Sequence, residues 1–169
     1  MDSMQVDMNE LRRQLRSGSI QRAYRALLGY MMDLRKHFQI GYPDYSVSGL
    51  YQGYLDMTYF AVVPPSLKRH GLKIAIVFNY GAFRFEAWLA GSNRQVQRKY
   101  WELFKDTPRA EYRVVAPAIG VDSIVECNLA EHFDFRDPDT LTSAIEKRAV
   151  KFTNDIERFL SRYDSKSRG

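Results

Sequence analysis

Cysteine is almost absent from the chain: Cys127 is the only one, which excludes an internal disulfide and fits a reducing compartment. No apolar run approaches the roughly 20 residues that a membrane-spanning helix needs. The N-terminal residues have neither a basic start nor an apolar stretch, so no secretory signal is expected and the cytoplasm is the natural location. There is no low-complexity tract, no internal repeat and no linker-like composition shift. The ten glycines are scattered at turns rather than gathered into a phosphate-binding loop. His37, His70 and His132 lie far apart, and none has a second His or a Cys at metal-ligand spacing, so no metal site and no cofactor class is implied.

What is present reads as a globular domain. Of the 169 residues, 45% are apolar and 27% charged, a balance that excludes disorder and suffices for one core. A single domain over residues 1–169 is therefore expected. The net charge of +5 is mildly basic. Most of the chain mixes both signs, the exception being Arg12, Arg13, Arg16, Arg22, Arg25, Arg35 and Lys36. On helices such residues form either a solvated face or a surface for nucleic acid.

Periodicity gives the element order. Asp7 followed by Glu10 suggests the cap of a short first helix ending at Gly18. Ser19 starts a second, with Ile20, Ala23, Leu27, Met31, Leu34 and Phe38 at helical spacing. Residues 50–63 read as a strand broken near Gly53. Leu72–Phe78 is apolar on both parities, as in a central strand buried on both faces. Asn79–Ala82 is a hairpin turn, and Phe83–Ala90 a third strand. Ser92–Gln95 offers a capping box for the next helix. Shorter strands are expected within 112–116 and 121–127, and Asp137-Pro138 opens the last helix. The order α-α-β-β-β-α-β-α predicts an α+β fold: a three-strand antiparallel meander with one or two further strands, flanked by helices.

Three segments carry a resemblance: Leu72–Phe78, Phe83–Gly91 and Gln97–Trp101, together with Tyr42-Pro43-Asp44-Tyr45 and Asp56-Met57-Thr58-Tyr59-Phe60. They resemble a family of stand-alone prokaryotic proteins of about this length, known as a domain of unknown function. The resemblance implies a small self-contained protein and carries over no activity, cofactor or catalytic residue.

Strand parity supplies the candidate site. In the third strand Phe83, Phe85, Ala87 and Leu89 point one way and Arg84, Glu86 and Trp88 the other. In the first strand Gln52, Tyr54, Asp56 and Thr58 share a face. If these faces coincide, Tyr54, Asp56, Arg84, Glu86 and Trp88 border one site, with the carboxylates as acid, base or metal ligands, Arg84 as an anion anchor and Trp88 as a stacking wall. The bland alternative is a set of cross-strand ion pairs. The partner expected at such a face is a small molecule or a protein, and exposed aromatics are compatible with a homo-oligomer.

Two other readings stay open. The element order is also that of restriction-endonuclease-like nucleases, in which Glu86-Ala87-Trp88 would occupy the acid-x-Lys position, with Lys73 substituting for the missing lysine. The basic N-terminal helices could instead associate with nucleic acid. His132–Asp139 is acidic but lacks the spacing of a calcium loop. Cys127 is expected to be a buried structural thiol.

Overall fold

The computed structural model describes residues 2–107 and 110–169. The elements are α1 (Ser3–Leu15), α2 (Ser19–Gly41), β1 (Ser46–Val47), β2 (Met57–Val63), α3 (Pro65–Lys68), β3 (Leu72–Asn79), β4 (Arg84–Gly91), α4 (Arg94–Phe104), β5 (Arg113–Val114), β6 (Ser123–Ala130) and α5 (Pro138–Ser167). The strands form a six-stranded sheet in the order β1-β2-β3-β4-β6-β5, with every pairing antiparallel. This is an α+β fold with the expected meander β2-β3-β4 at its centre. The further strands number three among the described residues: β5 lies within the expected segment 112–116, β6 overlaps 121–127, and the two-residue edge strand β1 carries too little pattern to be read from sequence.

The register sorts the two faces. Phe60, Ile76 and Ala87 lie in one row and Val62, Ile74 and Leu89 in the next. All are buried and pack with Met31, Leu34 and Phe38 of α2, Tyr100 and Phe104 of α4, and Ile145, Phe152 and Ile156 of α5. Burial of the whole run Ile74–Phe78 accounts for its apolar character on both parities. The opposite face bears a row of Tyr59, Val77, Glu86 and Asn128, then a row of Ala61, Ala75, Trp88 and Glu126.

Local chemistry explains the element ends. Asp137 caps α5, accepting from the Thr140 amide at 3.2 Å and the Thr140 hydroxyl at 2.7 Å. Helix α4 is capped one residue later than the sequence suggests, by Asn93 accepting from Val96 N at 2.9 Å. Helix α1 begins earlier, with Asp2 rather than Asp7 as its cap. Gly18, in the left-handed conformation, rather than Ser19 precedes α2. The strand expected from residue 50 starts only at Met57. Before it the chain makes a tight turn in which Gly53 has φ 72° and Leu55 φ 62°. A Cβ on Gly53 would lie 1.9 Å from Met57 O, so only glycine fits there.

Candidate functional site

Arg84, Glu86 and Trp88 leave β4 on the face away from the helices because Phe85, Ala87 and Leu89, all 0% exposed, take the other side. The Glu86 carboxylate is buried and held from both sides. Arg84 Nε donates to Oε1 at 2.6 Å and Trp88 Nε1 donates to Oε2 at 2.6 Å. Asn79 Nδ2 stands 3.5 Å from each oxygen. Arg84 also donates to Glu131 at 2.7 Å. Its pKa is raised, first by the bond to Glu86, so the guanidinium remains charged.

Tyr54 and Asp56 do not join this group. Tyr54 is 91% exposed. Asp56 Oδ1 accepts from Tyr54 N at 2.8 Å within its own turn. Backbone hydrogen bonds, from Tyr54 and then Met57, hold its carboxyl below the ordinary value. The expected alignment of Asp56 with Glu86 misses by one residue. Thr58, of the same parity as Asp56, is buried opposite Phe78 on the helical face, and Tyr59 shares the row of Glu86. The late strand start is the cause, since a one-residue shift exchanges the faces.

Two polar depressions flank Trp88. One, of about 330 Å³, is bordered by Asn79, Arg84, Glu86, Arg113 and Glu126. The other, of about 290 Å³, reaches Lys73, Arg94 and Gln97. Asn128 is paired with Glu86 across the sheet, and its Oδ1 is buried without a hydrogen-bond partner among the described residues.

A larger and chemically different cavity lies on the other side of the sheet, between α2, the β3–β4 hairpin and the β6–α5 loop. Its volume is about 880 Å³, and seven aromatic residues line it: Tyr24, Tyr30, Phe78, Tyr80, Phe83, Phe133 and Phe135. On α2, Ala23, Ala26 and Gly29 keep the wall thin at helical spacing, and a Cβ on Gly29 would meet nothing within 4 Å. The rings brace one another. Phe78 and Phe83 have centroids 5.3 Å apart, Phe133 and Phe135 5.0 Å, Tyr30 and Phe135 5.5 Å. The hydroxyls of Tyr30 and Tyr80 are paired with Thr142 and Thr58 at 3.1 and 2.8 Å. Burial raises the pKa of both phenols, so they stay protonated. Leu55 and Phe83 are the non-glycine residues with positive φ among those described, 62° and 53°, and both line this cavity. Such strain collects where a side chain must be held in place. Parity put Phe83 in the third strand, whereas it sits before β4, 63% exposed. The cavity was not read from sequence; its faint signals are the small residues of α2 and the alternation Phe133-Asp134-Phe135.

The nuclease arrangement does not assemble. Lys73 lies four residues along β3 from Val77, the partner of Glu86. That separates them by about 13 Å along the strand. No group of His, Cys, Asp and Glu able to hold a metal occurs among the described residues. His37 bonds to Glu146 at 2.7 Å and His70 to Tyr100 at 2.8 Å. In the acidic loop Asp134 is taken by Arg136, at 2.8–3.0 Å. Cys127 is 7% exposed, and burial pushes its thiol up to about 11. Of the N-terminal basic residues, Arg13 pairs with Glu10 at 2.6 Å and Arg35 donates to Ser48 O. Among the described residues no helix is long and apolar enough to cross a membrane.

A family model, Domain of unknown function (DUF7000), matches residues 4–160. The chain belongs to this family. No curated protein and no solved structure matches it. The DUF7000 match runs from α1 into α5. Both the Arg84–Glu86–Trp88 network and the aromatic cavity therefore lie inside the family's domain.

Proposed function

We propose that this protein is a single-domain binding module of the cytoplasm, and that its ligand is a small apolar molecule bearing a ring, held in the aromatic cavity. The observation that carries this reading is the cavity itself: about 880 Å³, aromatic on most sides and bordered by the strained residues Leu55 and Phe83. Ligand sites are commonly preformed clefts of about 300–1,000 Å³, mainly apolar with a few polar groups. The buried lone Cys127 fits a reducing compartment.

Thermal shift with a library of ring-bearing fragments tests it. Binders should raise the melting temperature of the wild type. Gly29→Leu, which fills the cavity from α2, should abolish the shift, while Trp88→Ala should leave it. Binders that survive Gly29→Leu would place the site elsewhere.

A second reading keeps the ligand at the polar sheet face beside Arg84, Glu86 and Trp88. What favours it is the orphaned Oδ1 of Asn128, the cross-strand partner of Glu86, which itself borders a polar depression. Its ligand would be a small polar molecule or a protein segment that supplies a donor to that oxygen. In the same screen, its signature is binding lost in Trp88→Ala and in Arg84→Ala but retained in Gly29→Leu.

A further inference from the structure

Among the described residues the aromatic cavity has one charged wall residue, Asp33, in a chain whose net charge is +5. Asp33 lies one turn beyond Tyr30 on α2, on the helix face shared with Ala26 and Gly29, which also line the cavity. It is exposed and has no ion pair among the described residues. The same cavity is lined by Tyr30, three residues before Asp33 on α2, and by Phe135, with ring centroids 5.5 Å apart, and Phe135 in turn stands against Phe133 at 5.0 Å. Ring faces carry negative potential, and a cation set over several of them is attracted to all. A carboxylate beside such rings adds to the attraction for a cation and repels an anion. The phenol hydroxyls of Tyr30, Tyr80 and Tyr24 in the wall are already engaged, with Thr142, Thr58 and the Gln52 carbonyl, so they do not compete for that role.

Resting on the cavity as the ligand site, we propose that it takes an organic cation. An ammonium or quaternary ammonium head sits at the Asp33 end against Tyr30 and Phe135, and an apolar, ring-bearing body extends toward Phe78 and Phe83. No covalent step is involved; the site selects by charge and shape. Loss of hydration by a quaternary head is mild compared with that of a primary ammonium, which suits a wall offering rings rather than hydrogen-bond acceptors.

The test is amide chemical-shift titration of the full chain with three probes of similar size. These are benzyltrimethylammonium, its uncharged carbon isostere neopentylbenzene, and phenylmethanesulfonate. Benzyltrimethylammonium should bind at least about five-fold more tightly than neopentylbenzene, with the sulfonate weakest. Asp33→Asn, an exposed substitution whose dispersed spectrum verifies folding, should reduce the preference for the cation while leaving the isostere unchanged. Gly29→Leu should weaken both. If neopentylbenzene binds as well as the cation, or if Asp33→Asn leaves the preference intact, the charge assignment is wrong although the cavity remains the site. If none of the probes moves cavity resonances, or Gly29→Leu does not weaken them, the cavity reading falls, and the cation with it.

Discussion

Glu86 is the residue on which the open sheet face depends. A buried carboxylate is costly unless its oxygens are satisfied, and here Arg84 and Trp88 each donate to one of them at 2.6 Å. Removing it leaves the Trp88 N–H and part of the Arg84 guanidinium desolvated without an acceptor. Glu86→Ala is therefore expected to destabilise the fold by about 2–4 kcal/mol in urea denaturation. The paired change Arg84→Met with Glu86→Leu should recover part of that loss, since it removes the buried charges together while still leaving the Trp88 N–H without its acceptor. A small effect of the single change would mean that the network contributes little to the fold. The periodicity of β4 made the three side chains legible as a set. Nothing in the pattern showed that they satisfy one another, because a hydrogen bond depends on rotamers and distances rather than on parity.

Among the elements, α2 does the most. It supplies Met31, Leu34 and Phe38 to the core and Tyr24, Tyr30 and Asp33 to the cavity. Its glycine at 29 weakens the helix without being required by the backbone, as the space beside it is open. Gly29→Ala should accordingly stabilise the protein by about 0.5–1 kcal/mol, measured by urea denaturation. A loss of stability would mean that the site is more crowded than its geometry indicates. The C-terminal half of α2 is tied to α5 through Glu146, which accepts from Tyr42 at 2.7 Å and meets His37 at 2.7 Å. Burial pushes the Glu146 carboxyl up, but the hydrogen bonds to His37 and Tyr42 outweigh it, so its pKa falls below the ordinary 4.5. A carboxyl with a lowered pKa in the folded state contributes stability above its unfolded value, and that contribution is lost as pH falls through the folded value. Wild type and Glu146→Gln should thus differ in stability above about pH 5 and converge on acidification. Partial exposure keeps the difference to about 1 kcal/mol or less. A gap that stays constant down to pH 3 would exclude the linkage.

For the molecule as a whole, α1 stands apart. It buries no residue, and Met4, Met8 and Leu11 are exposed at 68%, 49% and 45%. The core lies between the sheet and α2, α4 and α5. Deleting residues 1–16 should therefore shift the melting temperature by no more than about 3 °C, because each kcal/mol corresponds to only a few degrees at this size. A collapse of near-ultraviolet circular dichroism on deletion would show that α1 is integral to the fold. If α1 instead serves an oligomer, sedimentation of the truncated chain beside the full one reports it.

Composition and periodicity by themselves determined the class, the meander and its doubly buried central strand, and the parity that gathers Arg84, Glu86 and Trp88. These are local properties: a burial pattern of period two or 3.6 is written into consecutive residues. Tertiary structure alone decided the phase of β2, where the turn at Gly53 and Leu55 moved the strand start and put Tyr59 rather than Asp56 in the row of Glu86, with Val77 between them. It also decided the aromatic cavity, whose walls come from α2, the β3–β4 hairpin and the β6–α5 loop. Residues 24, 83 and 135 share no period; only the packing of helix on sheet brings them together.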